Sequence, residues 1–166
     1  MSPWNYFGKE SERFVCFLDT SFIAGTVLKS IEKDKWKIKI KLDKRMDELN
    51  SSNCLLLIND IVTYEIKKNL IKEFNIPKWK INEIYSIALS NFKNIKYFPT
   101  GEIKINQALI NWMIKHDLDF MDGLLITIAQ KLEIPLVSSE RKALEWKKIY
   151  SGVMTQNEFW NELRKK

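Results

Sequence analysis

The stretch spanning residues 119–140, DFMDGLLITIAQKLEIPLVSSE, constrains the fold of this chain more than any other. Met121, Leu124, Leu125, Ile128, Ala129 and Leu132 recur at helical spacing, and Ile126 adds apolar surface outside that stripe, which predicts a largely buried helix. Two carboxylates, Asp119 and Asp122, stand at its start. Pro135 closes the connection, Leu136 and Val137 form a short β-prone run, and Ser138, Ser139 and Glu140 follow. A buried helix feeding a buried parallel strand is the repeating unit of an α/β sheet. Ligands of open α/β sheets sit at the carboxyl ends of strands, where Glu140 falls, so an acid at each end of this unit suggests a shared cation site.

Other segments fit the same plan. Residues 14–18 and 54–58 are continuous apolar runs, the pattern of central strands covered on both faces. Asp19, Thr20 and Ser21 follow the first, and Asp19 is read either as a site residue or as the N-cap of a helix over residues 22–33. Asn59 or Asp60 caps a helix over residues 61–74 that carries Glu65 in its second turn. Further helices are expected over residues 77–90, 105–116 and 141–147, a short strand over 95–98 and an edge strand over 149–154. Thr155 with Glu158 forms a capping box that opens a final amphipathic helix bearing Phe159, Trp160 and Leu163. Residues 35–49 are ambiguous, since Trp36, Ile38, Ile40 and Leu42 alternate with lysines while Ile38, Leu42, Met46 and Leu49 also fit a helix. The helix is favoured there. The lysines of that stretch form either a phosphate-contacting face or a solvated one.

These elements predict an α/β fold with a parallel sheet of four or five strands flanked by helices on both faces, preceded by an extension over residues 1–13. A chain of 166 residues with 45% hydrophobic composition fits one domain, here residues 14–166. Its net charge of +6 favours anionic partners such as nucleic acid. Cys16 and Cys54 lie in apolar runs at no metal spacing, and with His116 as the one histidine, zinc sites and histidine-based triads are poor options. His116 is read as structural, near a helix C-terminus. No apolar stretch approaches the length needed to span a bilayer, so a soluble, cytoplasmic protein is expected.

Asp19, Glu65, Asp122 and Glu140 thus form an ordered set of four acids near one sheet edge. In Leu18-Asp19-Thr20-Ser21, Thr63-Tyr64-Glu65, Asp122-Gly123-Leu124-Leu125 and Val137-Ser138-Ser139-Glu140 the chain resembles the PIN-domain nucleases, named after the PilT N-terminus. The resemblance runs over residues 14–163 and implies a PIN-like domain with metal-dependent endoribonuclease activity. Two departures stand out: the fourth acid is usually aspartate and here is Glu140, and Gly123 holds a position that is often alanine. A glycine there costs roughly 1 kcal/mol in a helix, which suggests close backbone packing.

Residue chemistry agrees with the resemblance. Four carboxylates converging on one pocket repel each other unless a counter-charge is present, and Mg2+ or Mn2+, which prefer oxygen ligands, would supply it. Asp19, Glu65 and Asp122 are expected as metal ligands, and Glu140 as a ligand or water-orienting residue. Asp119 is expected as N-cap of the Asp122 helix, or otherwise as a further ligand, with Thr20, Ser21 or Ser138 hydrogen-bonding to the acids. Single-stranded RNA is the expected substrate, stacked on exposed aromatic residues. The resemblance further implies the toxin half of a toxin–antitoxin pair, a homodimer blocked by a small antitoxin protein. A stand-alone RNA-processing nuclease and a catalytically silent RNA-binding module are the alternatives. A phosphoacceptor receiver domain is disfavoured, because Glu-Ser-Glu-Arg precedes the first strand and the required acid and lysine trio is missing.

Overall fold

A computed structural model describes residues 13–26, 31–34, 37–40 and 45–165. Its core is one parallel sheet formed by β1 (Phe14–Leu18), β4 (Cys54–Ile58), β5 (Ile95–Tyr97), β6 (Leu136–Ser138) and β7 (Val153–Thr155). The intervening strands β2 (Ile31–Asp34) and β3 (Lys37–Ile40) pair only with each other, antiparallel, with Ile31 opposite Ile40. The helices are α1 (Thr20–Thr26), α2 (Arg45–Ser51), α3 (Asp60–Lys72), α4 (Ile81–Ser90), α5 (Gln107–Lys115), α6 (Phe120–Leu132), α7 (Glu140–Trp146) and α8 (Gln156–Arg164).

Strand order across the sheet is β5-β4-β1-β6-β7. From β1 the chain first fills one side with β4 and β5, then returns to fill the other with β6 and β7. The connections therefore change direction between β1 and β6, and their carboxyl ends flank the crevice where open α/β sheets bind ligands. Every residue of β4, and Val15 to Leu18 of β1, is buried, as the unbroken apolar runs require when helices cover both faces. Phe22 of α1 meets the ring of Phe159 of α8 edge-on at 5.2 Å and lies 6.1 Å from Trp160, which fastens both helices over the same part of the core.

Sequence cues at helix starts hold locally. Asn59 accepts the Val62 N–H, Asp119 accepts the Asp122 N–H, and Thr155 with Glu158 completes the capping box of α8. Glu133 takes a left-handed conformation (φ 54°) to end α6, and Pro135 then leads into β6. Cys16 and Cys54 are free, buried thiols on the neighbouring strands β1 and β4, and burial raises the Cys16 pKa well above the usual thiol value.

Two expectations are corrected. The helix expected over residues 22–33 starts earlier, at Thr20, and is described to Thr26, and Ile31 already belongs to a strand. In the lysine-rich stretch 35–49, expected to be mostly helical, Lys37–Ile40 is strand β3, paired with β2, while α2 begins the described residues at Arg45. Alternation of Ile38 and Ile40 with lysines was the signal that decided it, since β-branched side chains alternating with polar ones suit a pleated pair. Lys35, Lys41 and Lys44, and residues 1–12 of the expected N-terminal extension, lie outside the described residues.

Candidate metal and phosphodiester site

Asp19 follows β1 directly and is fully buried. Its backbone N–H donates to Val137 O of β6 at 2.9 Å, which carries the β1–β6 ladder one residue past the strand end. Its Oδ2 accepts the Ser138 hydroxyl at 2.8 Å and the Ser21 hydroxyl, while Oδ1 has no hydrogen-bond partner at all. Ser21 Oγ also accepts the Ser139 N–H at 2.9 Å, so the first turn of α1 is tied to the end of β6. An unpartnered carboxylate oxygen in a buried position is costly unless a cation or donor completes it.

Glu65 reaches the same edge from α3. Its Oε2 accepts the Thr20 hydroxyl at 2.5 Å, which joins α3 to α1. Asp122 sits in the first turn of α6, its side chain largely buried. Burial raises its pKa to about 6, and the charges of Asp119 and Asp19 push the same way against the opposing pull of Lys142. Asp119 Oδ1 is engaged as the N-cap acceptor for Asp122 N–H at 2.8 Å.

Lys142, on α7, is the cation of this cluster. Its Nζ donates to Asp122 Oδ1 at 3.0 Å and lies 5.1 Å from the ring centre of Trp146. Burial disfavours its charge, but Asp19, Asp122 and Glu65 together outweigh that cost and raise the lysine pKa. Glu140 goes elsewhere: it is exposed, and its Oε1 accepts the Asn157 N–H in the first turn of α8 at 3.2 Å. The structure thus gathers Asp19, Glu65 and Asp122 around Lys142, with Thr20, Ser21 and Ser138 bonded to two of the acids, and turns Glu140 toward a helix end.

Two members of the site escaped the sequence reading. Lys142 carried no motif of its own, and only its position two residues past Glu140 in a helix start could have pointed to it. Asn59 was read purely as a cap, and its Oδ1 does cap α3, yet its fully buried Nδ2 is left without a partner. The parallel register of β1 and β4, in which Phe17 pairs with Leu57, places Asn59 next to Asp19 two residues further on, past Leu18 and Ile58. An orphaned acceptor and an orphaned donor therefore belong to the residues that end adjacent strands. On the other flank, Asp122 borders a cleft lined also by Lys115, His116, Trp146 and Lys148.

Among the described residues, no group of three or more histidine, cysteine, aspartate or glutamate side chains could hold a metal ion as it stands. Asp122 is held by Lys142, and Glu65 by Thr20. What fits a hard divalent cation is the donor chemistry: carboxylate oxygens alone, one of them buried and unpartnered on Asp19.

An open α/β sheet with carboxylates at its switch point is the class that fold and site define. The chain is similar to PAE2754 from Pyrobaculum aerophilum, whose crystal structure aligns with a TM-score of 0.60 at 15% identity over 96% of each chain. At that identity the likeness shows the shared fold alone, one domain spanning nearly the whole chain. No protein-family model matches the chain, and no curated protein matches it. Among the described residues, no helix is long and apolar enough to cross a membrane.

Proposed function

We propose that this protein is a Mg2+- or Mn2+-dependent endoribonuclease, hydrolysing phosphodiesters of RNA at the edge where β1 and β6 meet. The observation that carries this reading is the buried, unpartnered Oδ1 of Asp19 at the sheet's switch point, with Glu65 and Asp122 converging from α3 and α6. Asp19, Glu65 and Asp122 would hold the cation. Bound there, it would supply Lewis-acid polarisation of a phosphate oxygen and lower the pKa of water.

The chain's own groups prepare the site. Ser138 and Ser21 fix the Asp19 carboxylate through one oxygen and leave the other without a partner. Thr20 orients Glu65. Asn59 Nδ2 is a second buried polar atom without a partner beside Asp19. Lys142 sets one positive charge against the three acids, with its Nζ on Asp122 Oδ1.

A role as the toxin of a toxin–antitoxin pair, with a homodimer and a small antitoxin protein as partners, rests on the PIN-domain resemblance, as does a stand-alone RNA-processing role. One observation favours a different reading, a silent PIN-like RNA-binding module: Lys142 already satisfies Asp122. The deciding experiment is cleavage of end-labelled single-stranded RNA with Mn2+ or Mg2+, beside EDTA and Asp122→Asn controls. Cleavage lost in both controls supports the nuclease; equal cleavage by the variant rejects it.

A further inference from the structure

Three lysines on and beside α3 and α4 lie over aromatic rings. Lys68 Nζ is 5.7 Å from the Tyr64 ring centre, Lys67 Nζ is 4.8 Å from Tyr85, and Lys80 Nζ is 5.0 Å from Trp79. Two of these rings face solvent: Trp79 is 78% exposed and Tyr64 is 55% exposed. Trp112, Trp146 and Trp160 are buried or half-buried by comparison. Leaving a tryptophan this open forfeits much of the apolar burial such a side chain normally supplies, so a large exposed ring next to a charge points to a partner.

The lysines also carry their charge without an acid partner. Among the described residues, none of Lys67, Lys68, Lys78 and Lys80 forms a salt bridge, although Glu73 and Glu83 are on the same segment. Lys67 donates instead to Asn82 Oδ1 at 2.9 Å, and the Tyr85 hydroxyl bonds with Thr63 Oγ1 at 2.7 Å, which braces α4 against α3. Tyr64 directly precedes Glu65, so this face begins at the acid edge and extends away from it to Trp79.

We infer that the α3–α4 face, from Tyr64 through Lys67 and Lys68 to Trp79 and Lys80, is a binding track for single-stranded RNA leading into the acid edge. It rests on the proposed action on RNA. Single strands alternate unstacked bases with phosphates, and the face alternates flat rings with ammonium groups. An acidic peptide would use the lysines but not the open rings, and a duplex hides its base faces within the stack. The overall charge of +6 works in the same direction.

The test is fluorescence anisotropy of a short fluorescein-labelled single-stranded RNA titrated with the protein in EDTA, where no divalent cation assists. Trp79→Ala and Tyr64→Ala should each weaken binding about ten-fold, the size of one lost base stack. Trp79→Phe should keep most of the affinity, added salt should lower it, and duplex RNA should compete poorly. Both positions are exposed, so circular dichroism should not change. Wild-type affinity in the double alanine variant, equal competition by duplex, or no RNA binding by the wild type would each overturn the track. RNA binding that depends on Trp79 but gives no cleavage with Mn2+ supports the track while rejecting the nuclease reading.

Discussion

Lys142 Nζ lies 3.0 Å from Asp122 Oδ1, so the first turn of α7 sets an ammonium on the first turn of α6. A lysine in that position competes with any divalent cation for the same oxygen. Lys142→Met should therefore tighten Mn2+ binding about ten-fold in calorimetry at about pH 8, above the pKa of about 6 that Asp122 has beside its partner. Weaker binding in the variant would mean that the lysine organises the acids for the cation instead of competing with it.

The Asp122 carboxyl has a pKa of about 6 in the folded protein, above the value of roughly 3.9 expected when unfolded. Between about pH 4 and 6 the folded state keeps a proton that the unfolded chain has released, so this group lowers stability as pH rises through that window. Asp122→Asn removes the effect. The metal-free variant should melt a few degrees above wild type at about pH 7.5 and converge with it near pH 4, by calorimetry or dichroism. A variant less stable at neutral pH would show that the Lys142 pairing outweighs burial.

Gly123 lies against Met113 of α5. A Cβ at that position would meet Met113 Cγ at 2.6 Å, too close for the side chain to stay where it is. Alanine is worth about 1 kcal/mol over glycine in a helix, but overpacking costs about 1–3 kcal/mol. Gly123→Ala should thus be neutral to destabilising in urea melts, and Met113→Ala in the same chain should reverse the sign.

Glu140 and Asp19 should behave differently. Asp19→Asn removes the unpartnered buried oxygen's charge and should abolish metal-dependent cleavage. Glu140→Ala should leave cleavage within a few-fold and cost about 0.5–1 kcal/mol of stability, since it loses an acceptor at the start of α8. Loss of cleavage comparable to Asp19→Asn would restore Glu140 to the site.

Thr20→Val keeps the shape of the side chain but takes the hydroxyl from Glu65. Cleavage should drop about 10- to 100-fold with an unchanged dichroism spectrum, and Thr20→Ser should recover most of it. Undiminished cleavage by the valine variant would show that Glu65 needs no orienting donor.

The sequence by itself determined the elements whose patterns are local. Unbroken apolar runs at 14–18 and 54–58 have the pattern of strands covered on both sides, and Asn59, Asp119 and Thr155 cap helices through bonds to N–H groups three residues on. Those bonds are local, so local residues suffice to foresee them. Gly123 signalled a close approach, but only the packing named Met113 as what approaches. Residues 35–49 carried two periodicities at once, and strand pairing settled between them for Lys37–Ile40. The choice at α7 was beyond any local rule. Glu140 and Lys142 stand two residues apart in a helix, about 200° around its axis, so when one turns to Asn157 the other turns to Asp122. Which of them meets the acids is fixed by how α7 is seated beside β6 and β7, a matter of long-range packing that the order of residues does not contain.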